Sequence, residues 1–162
     1  MKFRKWTYLL VLASLWLTPK IHSQVPVISY KELAQIIEHK TDTTYVINFW
    51  ATWCKPCVVE IPVFEQFNQE NLDKKVKVIL VSMDFAKDLD KTLLPFITKN
   101  QIQSSVMLLN ETDYDAWINK IDPSWSGALP ATLIVNNKRK KRVFTENALT
   151  YKELIEKLSN FL

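Results

Sequence analysis

The run from Tyr45 to Pro62, YVINFWATWCKPCVVEIP, constrains the fold more than any other stretch, and it holds both cysteines of the chain. Residues Tyr45 to Trp50 are β-branched and aromatic, as suits a buried strand, and Pro56 suits the opening turn of a helix. Cys54 therefore falls at a strand-to-helix junction. Unpaired N–H groups and the positive end of the helix dipole favour a thiolate there, so the thiol pKa falls from its unperturbed value of about 8.5. Lys55 adds a positive charge beside it. Cys57, three positions on, is placed to attack a mixed disulfide at Cys54 and close a Cys54–Cys57 bridge. Two-electron thiol–disulfide exchange is the chemistry this pattern suits.

Two other uses of a Cys-x-x-Cys fit less well. Structural zinc takes four N or S ligands, and only His22 and His39 could join the cysteines, His22 within the leader described below. An inert crosslink that closes so short a loop removes little entropy from the unfolded chain. No metal and no cofactor are expected.

At 162 residues the chain supports one domain with a proper core, and with Gly127 as its only glycine and 48% hydrophobic residues it is not a disordered sequence. The net charge of +4 invites a nucleic-acid reading. Its location argues against one: Lys2, Arg4, Lys5 and Lys20 lie in the first 23 residues, which hold no acid. That leaves 17 of the 21 basic side chains to balance 17 acidic ones.

Residues 1–23 read as a secretory signal, with Lys2, Arg4 and Lys5 as the positive region, Trp6 to Leu17 as the apolar core, and a polar tail ending at Ser23. Cleavage after Ser23 is expected, leaving residues 24–162 as the mature domain. Ile21, three residues before that site, is larger than usual, and without cleavage the leader would act as an N-terminal anchor. An exported, periplasmic domain follows, and an oxidising compartment keeps a dithiol reduced only if something supplies electrons.

Along the mature chain, Leu33, Ile36 and Ile37 mark an amphipathic helix, and the active-site helix is expected from Pro56 to Asn71 with Ile61, Phe64 and Phe67 buried. Pro62 lies inside that helix and leaves the carbonyl of Val58 without its donor. Val76 to Met83 reads as a strand. A helix from Asp84 onward buries Leu93, Leu94, Phe96 and Ile97, with Pro95 at a start or bend. Ser105 to Leu109 reads as a strand, Asp113 to Ile121 as a helix, and Thr132 to Val135 as a strand. Asn136 to Arg142 reads as a hairpin turn with a basic, solvated edge strand. Thr150 to Leu162 forms a closing helix with Tyr151, Leu154, Ile155 and Leu158 on one face and Thr150 with Glu153 as a capping box.

The residues FWATWCKPC followed by Glu60 resemble the thioredoxin superfamily, and within it the TlpA/ResA branch of exported thiol–disulfide oxidoreductases. The resemblance implies an α/β thioredoxin-like fold, a central mixed β-sheet flanked by helices, with an extra strand and helix inserted before a cis-proline loop. It places Leu129-Pro130 at that loop, so that Trp53, Lys55, Pro56, Leu129 and Pro130 border the substrate groove. It also matches Pro62 to a proline at the same offset from the first cysteine. Ordinary thioredoxins carry a buried aspartate six residues before that cysteine, where this chain has Asn48, which cannot take a proton. Glu60 matches a glutamate of the TlpA/ResA branch and is expected to receive the Cys57 proton. Trp50 and Trp125 are expected in the core.

The expected activity is reduction of disulfides in client proteins through Cys54 and Cys57, with Glu60 assisting and a membrane thiol–disulfide carrier supplying electrons. Apocytochrome c haem-site cysteines and copper-site assembly proteins are the clients the resemblance suggests, and a monomer is expected. A disulfide-donating oxidant and a non-catalytic binding module are the alternatives. A peroxidase would need a Pro-x-x-x-Thr-x-x-Cys context, absent before Cys54. A copper module would need a histidine near the later loop, and none follows His39.

Overall fold

The structure, a computed structural model, describes residues 25–161. The leader, its cleavage site and Leu162 lie outside the described residues.

Among the described residues, six strands form one mixed sheet in the order β1-β4-β3-β2-β5-β6. They are β1 (Val27–Ile28), β2 (Thr44–Trp50), β3 (Val76–Ser82), β4 (Ser105–Leu109), β5 (Ala131–Asn136) and β6 (Lys141–Thr145). The first four in space run parallel, and β5 and β6 are antiparallel. Five α-helices accompany them: α1 (Tyr30–Ile37), α2 (Lys55–Gln69), α3 (Leu94–Lys99), α4 (Ile118–Ile121) and α5 (Tyr151–Leu158). The expected mixed sheet is present, and β4 and α4 lie between β3 and the Leu129-Pro130 loop, where the extra strand and helix are expected.

All seven residues of β2 are buried, which explains its unbroken apolar character. Its two polar side chains are paired within the sheet: Asn136 Nδ2 donates to Thr44 Oγ1 at 3.1 Å, and Asn48 Nδ2 donates to Thr132 Oγ1 at 3.1 Å. The parallel register Trp50↔Ser82 ends β2 and β3 together. The turn that carries Cys54 therefore emerges beside Met83 and Asp84. α2 buries Cys57, Glu60, Ile61, Phe64 and Phe67, one stripe at helical spacing, and leaves Pro62 exposed within it.

Several elements depart from the sequence reading. Asp84 is not helical but buried beneath the active-site turn. The helical segment begins as a 3₁₀ turn at Ala86–Asp88, widens to a π turn at Leu89–Leu93, and becomes α-helical only at α3. Pro95 sits in the first turn of α3, where it has no N–H to give to the preceding turn and its ring crowds the carbonyl four residues back, so the chain widens there. Of its expected apolar face only Leu93 is fully buried, and Leu94, Phe96 and Ile97 are half-buried. The helix expected over Asp113 to Ile121 is broken: a 3₁₀ turn at Tyr114–Ala116 stops at Trp117 (φ −134°, ψ −25°), and α4 resumes at Ile118. The indole of Trp117 is buried against Tyr30, Phe49 and Trp125 at the break.

The closing helix ends at Leu158, four residues early, because the chain turns at Ser159 and Phe161 folds back into the core. Ile155 is exposed, since Leu154 and Leu158, four apart, take the inward stripe. The capping box of Thr150 and Glu153 forms as expected, and Ser29 with Glu32 makes a second one on α1. β6 is an edge strand with exposed Lys141 and Arg142. Its cations and Arg139 of the preceding turn also tie neighbouring backbone: Lys141 donates to the carbonyl of Asn160, Arg142 to that of Ile121, and Arg139 to that of Phe161 at 2.6 Å.

Candidate active site at the Cys54–Cys57 disulfide

Cys54 is the N-cap of α2, with extended backbone (φ −86°, ψ 98°), and its Sγ accepts the N–H of Cys57 at 3.3 Å. It is bonded to Cys57 in a disulfide across three residues of sequence. Cys54 is 6% exposed and Cys57 0%, so of the pair only Cys54 reaches the surface. Upon reduction, a Cys54 thiolate would keep the Cys57 N–H and gain from the dipole of a fifteen-residue helix. Lys55 and Pro56 flank it, both exposed.

The turn that presents Cys54 is anchored by Asp84. Its carboxylate accepts from the Thr52 amide at 3.1 Å, the Thr52 hydroxyl at 2.6 Å and the Ser82 hydroxyl at 2.8 Å. The sequence reading missed this residue; an acid directly after an apolar strand is its only local signal. Asp84→Ala leaves the partly buried Thr52 donors without an acceptor and is expected to lower stability by about 1–3 kcal/mol in urea unfolding. An unchanged unfolding midpoint would show that the turn stands without it.

Below the disulfide, one helical turn from Cys57, Glu60 is buried at 3% exposure. Its Oε1 accepts from Asn48 Nδ2 at 2.8 Å and its Oε2 from the Leu149 amide at 2.9 Å. Burial pushes the Glu60 carboxyl up to about 7, against the opposing pull of the Leu149 and Asn48 donors. The Asn48 Oδ1 atom is buried with no hydrogen-bond partner among the described residues. A carboxyl that titrates near neutrality beside a buried thiol is suited to taking and returning a proton.

A groove of about 740 Å³ opens above Cys54. Trp53, Lys55 and Pro56 form one side, Tyr114, Asp115 and Ile118 a second, and Trp125 to Leu129 a third, with Met83 among the lining. Trp53 is 64% exposed. The Leu129–Pro130 peptide is cis. Leu129 lines the groove, whereas Pro130 is buried and outside its lining. Trp50 is in the core; Trp125 is both buried, 4.6 Å from the Phe49 ring, and part of the groove wall. The wall from Tyr114 to Ile118 escaped the sequence reading, which took Asp113 to Ile121 as one unbroken helix.

The chain is similar to several known proteins. Thioredoxin-like protein YneN of Bacillus subtilis is 29% identical over 113 residues, which cover 70% of this chain and 62% of that protein. Thiol-disulfide oxidoreductase ResA of Oceanobacillus iheyensis is 44% identical over 39 residues, 24% of this chain and 20% of that one. The chain thus spans less than two thirds of either relative. Among solved structures, a thioredoxin-related protein from Neisseria meningitidis serogroup B superposes with a TM-score of 0.65 at 17% identity, over 77% of this chain and 89% of that one. Residues 29–143 match the AhpC/TSA family, a span that runs from the cap of α1 into β6 and takes in the disulfide, Glu60 and the cis-proline loop. The chain belongs to the AhpC/TSA family, with a thioredoxin-like fold.

Proposed function

We propose that this protein is an exported thiol–disulfide oxidoreductase that reduces disulfides in client proteins. The observation that carries the reading is the asymmetry of the Cys54–Cys57 pair: one sulfur at the floor of a groove and a helix N-terminus, the other buried above a carboxyl poised near pH 7.

In the reduced protein, the Cys54 thiolate attacks one sulfur of a client disulfide, and the second client sulfur leaves as a thiolate that takes a proton from water. Cys57 then passes its proton to the Glu60 carboxylate and attacks Cys54 Sγ. The Cys54–client bond breaks, the client leaves with both sulfurs reduced, and the Cys54–Cys57 disulfide holds the oxidation. Two electrons have moved to the client, and a membrane dithiol carrier supplies two more by the reverse sequence, reducing the Cys54–Cys57 disulfide and becoming a disulfide itself. Export rests on the leader of residues 1–23. Haem-site cysteines of apocytochrome c and copper-site assembly proteins are clients of the right chemistry.

The reduction potential tests the direction. Equilibration with dithiothreitol, read by tryptophan fluorescence, is expected to give a value near the thioredoxin range of about −270 mV. A value near about −120 mV, the range of strong periplasmic oxidants, would make the protein a disulfide donor.

A further inference from the structure

The groove wall from Ser126 to Leu129 has no regular secondary structure, yet one side chain from another part of the fold holds it. Glu146, directly after β6, turns its carboxylate onto this loop. Its Oε1 accepts from the Ala128 amide at 2.8 Å, the Ser126 amide at 3.2 Å and the Ser126 hydroxyl, and its Oε2 accepts from the Ser126 amide at 3.2 Å. From the other side, the Trp125 indole N–H donates to the Ala128 carbonyl at 2.9 Å. Between these anchors Gly127 takes φ +93°, a conformation that favours glycine, and a Cβ there would lie 3.2 Å from Ile118 Cδ1. The only glycine of the chain thus sits where the loop meets the opposite wall of the groove.

We propose that Glu146 is a positioning residue for client recognition, holding Ser126 to Leu129 in the shape that receives an extended client segment beside Cys54. This rests on the oxidoreductase reading above. Glu146 forms no part of the groove lining and belongs to neither the disulfide nor the Glu60 cluster, so its effect reaches a client only through the loop. A carboxylate suits the position because it offers acceptors alone to three converging donors; a glutamine would turn one NH₂ group toward them. Partial burial works against the charge, but the bonds from Ser126 and Ala128 outweigh it and hold the Glu146 carboxyl below its ordinary range.

The test separates docking from chemistry on one sulfur. In a Cys57→Ser background, the single Cys54 thiol is reacted with two probes that release the same coloured thiolate. One is 5,5′-dithiobis(2-nitrobenzoate). The other is a ten-residue alanine–serine peptide whose one central cysteine carries the same thionitrobenzoate group. Adding Glu146→Ala is expected to slow the peptide about 10-fold and leave the small disulfide within about twofold, with Glu146→Gln in between. Equal slowing of both probes would mean that Glu146 merely supports the fold, and no slowing of the peptide would mean that the loop keeps its shape alone; either overturns the proposal. Should Glu146→Ala fail to fold, Glu146→Gln removes part of the clamp and carries the same comparison. A folded Cys57→Ser parent that reacts with neither probe would instead remove the oxidoreductase reading, and the clamp with it.

Discussion

Cys54→Ser is expected to abolish disulfide reduction, to below about a thousandth of the native rate. A serine hydroxyl is not ionised near neutral pH and cannot form the mixed disulfide, so no slower version of the same route survives. Cys57→Ser should behave differently. Its Cys54 still attacks, but the second sulfur that releases the client is gone, and the protein should accumulate as a covalent adduct. Mass spectrometry after mixing with a disulfide-bearing protein reads both outcomes: no adduct for Cys54→Ser, a stable one for Cys57→Ser. An adduct through Cys57 in the Cys54→Ser protein would contradict the burial of that sulfur.

Glu60→Gln carries the second large effect, on rate and on stability. An amide cannot receive the Cys57 proton, so release of the client near pH 7 should slow by about 10²-fold, and the rate should lose its inflection near that pH. A rate–pH profile identical to that of the native protein would sink the proton-transfer role. The stability effect follows from the folded-state pKa of about 7 against an ordinary 4.5. Between those values the folded protein binds more protons than the unfolded chain, so the contribution is fully present below about pH 4.5 and is lost as pH rises through 7. The native oxidised protein should therefore lose roughly 2–3 kcal/mol between pH 4.5 and pH 8.5 that Glu60→Gln does not lose. Urea unfolding of both proteins at the two pH values reads the difference.

What the sequence reveals depends on how far apart the interacting residues lie. β2, the Cys54–Cys57 turn and α2 are consecutive, and each is set by its own neighbours: β-branched residues, then a proline at a helix start, then an apolar stripe. The capping box of Thr150 and Glu153 is equally local. Glu60 is legible because it follows Cys57 by one helical turn, but half of its environment is the amide of Leu149, 89 residues away. Asp84 is 32 residues from Thr52, and Glu146 is 20 from Ser126. No periodicity announces such pairings, because the sheet order and the ends of the strands create them. The break at Trp117 escaped for a similar reason: Asp113 to Ile121 has an acceptable helical pattern, and a tertiary cluster of aromatic rings overrides it.

The two faces of the disulfide are built from separate parts of the chain. Beneath it stand Asn48, Glu60 and Thr132, all within β2, α2 and β5, where each change of volume or charge is felt by a packed core. Above it stand Tyr114, Asp115, Ile118 and Ser126 to Leu129, from loops and short helical turns. On the function proposed above, substitutions in the upper set alter the surface offered to a client and leave the lower set in place. Lineages could therefore exchange one partner for another while inheriting the same electron chemistry.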